Sequence, residues 1–217
     1  MNRRLMTIVL AGLLLTGFYF FLGDVSAQDV KKQQPAVQQP VKESASGGDL
    51  EAFLKDPKKQ TKLQKYITAK DAYQKWLADP NNVKILDCRT PEEYIYLGHG
   101  PMAYNIPIQF TTYKFDPEKK APVMKENPNF LSAVKAKFKS TDMILTMCRS
   151  GHRSANTANK LAENGFTNVY NILDGFEGDM VKDPSSYYNG KRMHNGWKNS
   201  GAPWTYSLDP KLMYLAE

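Results

Sequence analysis

Residues 148–154 read Cys148-Arg149-Ser150-Gly151-His152-Arg153-Ser154, placing a thiol, two arginines, a histidine and two hydroxyls around one glycine. An apolar run at residues 142–147 precedes them. A helical pattern follows over residues 154–164, with Ala155, Ala158, Leu161 and Ala162 on one face. Cys148 is therefore expected at the end of a strand, where a helix is about to begin. The backbone N–H groups of such a turn point at the sulfur and stabilise its anion, which favours thiolate over thiol. Arg149 and Arg153 add positive charge, and Gly151 permits a tight backbone curl. His152 lies in the same turn, where it either adds charge when protonated or faces solvent. The arrangement is that of a nucleophilic thiolate at the floor of an anion-binding cradle, chemistry suited to covalent group transfer. A second candidate loop, Asp87-Cys88-Arg89, ends another apolar run, and here Asp87 and Arg89 are expected to pair and brace the floor of the site without moving protons.

The elements that must position these loops can be traced along the chain. Thr68 caps a helix whose third residue is Asp71, and Ala69, Ala72, Tyr73, Trp76 and Leu77 recur at helical spacing. Short apolar runs at residues 83–87, 142–147 and 168–172 suit buried strands. Amphipathic stretches at 130–138 and 154–164 suit helices, the second stopped by Gly165. Strands and helices alternating at this length imply an α/β fold: an open, mostly parallel sheet with helices on both faces. In such sheets ligands meet the carboxyl ends of the strands, which is where both candidate loops fall.

The chain has 217 residues, of which 41% are hydrophobic and 24% charged; this balance excludes wholesale disorder. A net charge of +7 without a dense basic run favours anionic small molecules and excludes a nucleic-acid-binding composition. Two cysteines and three scattered histidines give neither a disulfide scaffold nor a metal-ligand cluster. Residues 1–27 carry a basic start (Arg3, Arg4), an apolar run and Val25-Ser26-Ala27, the pattern of an export signal cleaved before Gln28. The expected location is outside the cytoplasm, in the periplasm or secreted. The alternative is an uncleaved anchor that holds the protein on the outer face of the membrane, since the apolar run is about long enough to span it. Residues 28–49, rich in Gln, Pro, Lys and Ser, are expected to form a flexible linker, with residues 50–217 as the domain. A lone cysteine pair in an exported chain would ordinarily be read as a bridge. Free thiols are expected instead, with Cys88 turned into the core and the two sulfurs near each other but not in bridge geometry; the alternative is a redox switch in which Cys88 resolves an oxidised Cys148.

Residues from about 65 to 204 resemble the rhodanese-like sulfurtransferases. The motifs follow in order: Asp87-Cys88-Arg89-Thr90-Pro91-Glu92-Glu93-Tyr94; Gly98-His99 leading to Asn105-Ile106-Pro107; the Cys148 loop; Gly165-Phe166; Asp174-Gly175-Phe176; and Gly196-Trp197 with Gly201-Ala202-Pro203-Trp204. The resemblance implies a five-stranded sheet. It also implies a ping-pong sulfurtransferase without cofactor, in which Cys148 takes sulfur from an anionic donor such as thiosulfate, carries it as a persulfide, and passes it to a thiol or cyanide. Arg149 and Arg153 would hold the donor's oxygens, and the backbone of residues 149–154 the outer sulfur. His99 is expected to satisfy backbone groups, and Trp197 and Trp204 to anchor the packing. Phosphatases and arsenate reductases of related fold place an arginine six positions after the cysteine, where this chain has Ser154, so the cradle is sized for sulfur. A sulfur-carrier or protein-binding module without turnover is the other alternative. Met102, Gly100 and Asp174 depart from the family pattern. Two added segments, 108–129 and 178–195, bring Tyr113, Phe115, Tyr187, Tyr188 and His194, and either pad the surface or rim the pocket.

Overall fold

The structure, a computed structural model, describes residues 47–215. The expected export signal and most of the expected linker lie outside the described residues. Residues 47–49, read as the end of that linker, instead open a helix, α1 (Gly47–Leu54). Among the described residues no helix is long and apolar enough to cross a membrane.

After α1 and a single 3-10 turn, the chain runs β1 (Tyr66–Ile67), α2 (Ala69–Ala78), β2 (Val83–Asp87), α3 (Pro91–Tyr96), β3 (Ala103–Asn105), β4 (Gln109–Asp116), β5 (Ala121–Glu126), α4 (Phe130–Lys137), β6 (Met143–Met147), α5 (His152–Ala162) and β7 (Val169–Ile172). Five strands form one sheet in the order β1-β7-β6-β2-β3, every pairing parallel. The fold is α/β, as the alternation of elements implies. The added segment 108–129 forms a separate antiparallel hairpin, β4–β5, which leaves Tyr113 and Phe115 exposed.

Alternation along the central strands divides the core between the two faces. Val83, Ile85, Leu145 and Met147 pack with Ala72 and Trp76 of α2 and with Trp197. Leu86, Cys88, Ile144 and Cys148 pack on the opposite face, with Phe130 and Val134 of α4 and Ala158 and Leu161 of α5. Each of the large side chains fully buried here stabilises the fold by roughly 1.5–3 kcal/mol. Thr68 caps α2 through its side chain on the Asp71 N–H. Thr90 and Glu93 form a reciprocal capping box at the start of α3, with Pro91 in its first turn. β2 and β6 lie side by side, Asp87 in register with Met147, so the two cysteine loops leave the sheet together at its carboxyl edge.

Candidate active site

Cys148 follows β6 and is 1% exposed. The Gly151 backbone N–H donates to its Sγ at 3.2 Å and the Ser154 hydroxyl at 3.3 Å. The curl that delivers the amide requires Gly151: its φ is +96°, and a Cβ there would stand 2.2 Å from the Leu173 carbonyl oxygen. Gly151 is also the N-cap of α5, and no side chain caps that helix. The positive end of α5 is thus left facing the loop. The outer side of the loop is held by the chain that follows β7. The N–H of Phe176 donates to the Cys148 carbonyl and those of Glu177 and Gly178 to Arg149's. Gly175 allows this approach, since a Cβ there would meet the Cys148 carbonyl oxygen at 2.6 Å. Asn171 on β7 donates to the carbonyls of Gly151 and Lys59. The sulfur therefore sits in a rigid cradle of main-chain atoms.

Beneath it, Asp87 and Arg89 are both fully buried. Arg89 Nε donates to Asp87 Oδ1 at 2.9 Å and Nη2 to Oδ2 at 2.6 Å, while Nη2 also reaches the Gly98 carbonyl. The guanidinium lies 4.0 Å from the centre of the Phe176 ring. Burial opposes the charge of Arg89, but the Asp87 carboxylate beside it keeps the guanidinium protonated, above its ordinary range. Asn105 on β3 donates to the carbonyls of Asp87 and Arg89 and fixes that loop.

The sequence pattern of the rhodanese-like domain matches residues 69–180. The chain belongs to this family. It is 31% identical over 126 residues to the uncharacterized protein RP600 of Rickettsia prowazekii, a match spanning 58% of this chain and 85% of that one. It is 37% identical over 93 residues to the chloroplastic Thiosulfate sulfurtransferase 16 of Arabidopsis thaliana, spanning 43% and 70% of the two chains. Among solved structures it is similar to that of Rv0390 from M. tuberculosis, with a TM-score of 0.51, 26% identity, and coverage of 65% of this chain and 96% of the other. These relationships support a sulfurtransferase-type family.

Within this rhodanese-like domain, the residues proposed from sequence are distributed unevenly. Cys148, Gly151 and Ser154 form the cradle. Ser150 is buried, and Arg149 is exposed with no side-chain partner among the described residues. Arg153 corrects the expectation. It turns inward, but its guanidinium is taken by Glu93 in a two-pronged pair, Nη1–Oε2 and Nη2–Oε1 both at 2.6 Å. Burial would raise the Glu93 carboxyl, yet the Arg153 hydrogen bonds hold it below the usual range. Arg153 thus clamps α5 to α3, and its charge is answered before any donor arrives. His152 also differs from the reading that has it add charge to the cradle: it points outward, with Nε2 2.6 Å from Asp56 Oδ2.

The two thiols are not joined. Both fall on the α4–α5 face in one buried cluster, so Cys88 lies in the core as expected. Burial, and next the nearby Cys148, push the Cys88 thiol well above its ordinary pKa. His99 places its ring nitrogens 3.0 Å and 3.2 Å from the Tyr94 and Ser207 carbonyl oxygens. Trp197 is fully buried, whereas Trp204 is 37% exposed and so is only partly a packing anchor.

Sequence reading did not single out Glu93 as Arg153's partner, nor Asn105, Asn171 or the role of Asp174. The Thr90–Glu93 capping-box spacing was the one available signal for Glu93. Asp174 accepts from the N–H groups of Ala69 and Gly196, tying the start of α2 to the segment that closes over the loop. Its burial pushes the carboxyl up to about 6, against those hydrogen bonds.

Proposed function

We propose that the chain is a sulfurtransferase that carries a sulfane sulfur on Cys148. One observation carries this reading: the Cys148 sulfur receives a main-chain N–H and a hydroxyl at a strand-to-helix turn. In the first half-reaction the Cys148 thiolate attacks the outer sulfur of thiosulfate. The donor's S–S bond breaks, and sulfite leaves with the bonding pair. The outer sulfur, now a persulfide, extends into the cradle, where amides at the start of α5 face it. In the second half-reaction a thiol or cyanide attacks that sulfur and the Cys148 thiolate is restored, giving ping-pong kinetics. Arg149, exposed and without a side-chain partner among the described residues, supports a role in receiving the donor's oxygens. Arg153, committed to Glu93, shapes the turn.

The test is intact-mass spectrometry after thiosulfate treatment. Wild type should gain one sulfur atom on Cys148 and lose it to cyanide as thiocyanate, and Cys148→Ser should gain none. A wild-type protein that never takes up sulfur would instead be a binding module.

A further inference from the structure

Cys88 and Cys148 stand one step past the last registered pair of β2 and β6, Asp87 and Met147. The Cys88 N–H donates to the Met147 carbonyl at 2.8 Å, the bond that a parallel ladder makes when residues 88 and 148 are neighbours. The two cysteines therefore continue the pairing of the strands. Adjacent strands lie roughly 4.7–4.9 Å apart, inside the range of about 4.4–6.8 Å that a disulfide needs between its Cα atoms. Both side chains fall in one buried cluster on the α4–α5 face, and they are unbridged. Cys88 is fully buried, so neither a sulfur donor nor a dissolved thiol meets it. The sulfur beside it is that of Cys148.

Burial, and next the nearby Cys148, keep the resting Cys88 thiol protonated. A persulfide on Cys148 changes the second of these causes. Its charge moves from Cys148 Sγ to the outer sulfur, one bond farther on, where the uncapped start of α5 faces it. Cys148 Sγ meanwhile turns from a nucleophile into the electrophilic half of an S–S bond. The polar contacts of this sulfur, the Gly151 N–H and the Ser154 hydroxyl, come from its own loop and helix, whereas Cys88 belongs to the neighbouring strand. An attacking sulfur on the strand side and a leaving sulfur on the loop side suit displacement at Sγ.

Resting on the sulfurtransferase reading, we propose that Cys88 resolves the Cys148 persulfide and so gives the protein a second activity, the release of hydrosulfide from a sulfane-sulfur donor. The Cys88 sulfur attacks Cys148 Sγ, and the Cys88–Cys148 bond forms as the bond to the outer sulfur breaks. The breaking pair goes to the outer sulfur, which takes the Cys88 thiol proton and departs as hydrosulfide. Cys88 is oxidised and the outer sulfur is reduced, so no external oxidant enters. An external dithiol, attacking the bridge at Cys148, then restores both thiols. Cyanide or a dissolved thiol attacks the outer sulfur instead, and the two routes compete for one persulfide.

The experiment loads the full chain with thiosulfate in the absence of oxygen, removes excess donor and adds no acceptor. Wild type should release hydrosulfide while its intact mass falls from one sulfur atom above the reduced protein to two hydrogen atoms below it. Peptide mapping should join Cys88 to Cys148 within one chain. Cys88→Ala and Cys88→Ser should load and then keep their sulfur, releasing hydrosulfide at least about tenfold more slowly. Release at the wild-type rate from both variants would overturn the proposal, and so would a wild-type persulfide that persists. A chain that takes no sulfur from thiosulfate would sink the sulfurtransferase reading by itself; polysulfide, which loads thiols directly, then supplies the persulfide, and the same outcomes decide. Diamide oxidation of the unloaded wild type tests the bridge without any sulfur donor. A mapped Cys88–Cys148 disulfide supports the proposal, and failure to form one overturns it.

Discussion

Two Cys-Arg pairs leave neighbouring strands of one sheet, Cys88-Arg89 after β2 and Cys148-Arg149 after β6, one step past residues that are in register. Both thiols are buried and both lie on the same face. What differs is what comes next. After Arg89, the Thr90–Glu93 capping box satisfies the start of α3 with side chains, and Arg89 folds back onto Asp87. The Glu93 N–H of that first turn goes to the Thr90 hydroxyl, and the Cys88 thiol is held protonated by burial and by the nearby Cys148. After Arg149, Ser150 and a left-handed Gly151 lead into α5, which has no side-chain cap; an amide turns onto the Cys148 sulfur, and Arg149 stays in solvent. The same dipeptide is sealed in one place and available in the other because one helix is capped by its own side chains and the other is not. On the proposed reading, the cap, more than the cysteine, selects the sulfur that reacts with the donor.

The largest expected effect comes from exchanging the thiols' roles. Cys148→Ser should lower turnover with thiosulfate by at least about three powers of ten. Cys88→Ala should leave it within about threefold and cost about 1–2 kcal/mol of stability for the lost packing. In the native wild type, iodoacetamide should label Cys148 before Cys88, and the denatured, unreduced protein should titrate with two free thiols. Comparable activity losses in the two variants would dissolve the distinction between the loops.

Next in size is the contrast between their arginines. Arg89→Ala removes the partner of a fully buried Asp87 and should destabilise by about 3–5 kcal/mol in denaturant unfolding. Arg149→Ala should change stability by no more than about 0.5 kcal/mol. A loss under about 1 kcal/mol for Arg89→Ala would mean that the Asp87 loop is not sealed by this pair.

The extent to which these differences can be read from the sequence depends on how local their causes are. β2, β6, β7 and helices α2, α4 and α5 announce themselves because each buries a run or a stripe of apolar residues. β1 and β3 span only Tyr66–Ile67 and Ala103–Asn105, too short to show a period. The β4–β5 hairpin is largely exposed, so no alternation marks it. The helix read over 154–164 begins two residues earlier, at His152, because its opening residues His152, Arg153 and Ser154 are polar and serve the loop, so they add nothing to the apolar stripe. The Cys148 cradle is legible because consecutive main-chain groups build it. The fates of Arg153 and His152 are not, since their partners Glu93 and Asp56 stand 60 and 96 positions away. Only the folded chain brings those side chains together.

A smaller effect concerns the support that the Cys148 loop alone receives. Asp174 holds the segment that closes over that loop, and its carboxyl is raised from 3.8 to about 6. The unfolded chain releases this proton first, so stability should fall as the pH rises from about 4 to about 6 and then level off. The difference corresponds to about 3 kcal/mol as an upper bound. Midpoints of urea unfolding measured across that range should fall in wild type and fall distinctly less in Asp174→Asn. Parallel curves would show that the ionised carboxylate is fully stabilised by the N–H groups of Ala69 and Gly196.

The smallest effect tests which arginine reads the donor. The family resemblance implies that both Arg149 and Arg153 hold the donor's oxygens, but the structure pairs Arg153 with Glu93 and leaves Arg149 without a side-chain partner among the described residues. Arg149→Ala should therefore lower kcat/KM for thiosulfate about tenfold, equivalent to about 1.4 kcal/mol, and affect an uncharged donor such as dimethyl trisulfide less. Arg153→Ala should lower both donors alike, because it releases the start of α5 and leaves Glu93 without its partner. Glu93→Gln should reproduce that pattern, and the double variant should be little worse than either single one, since the two side chains act as one clamp. Selective loss of thiosulfate activity in Arg153→Ala, with Glu93→Gln silent, would return Arg153 to the substrate and would mean that the pair opens when the donor binds.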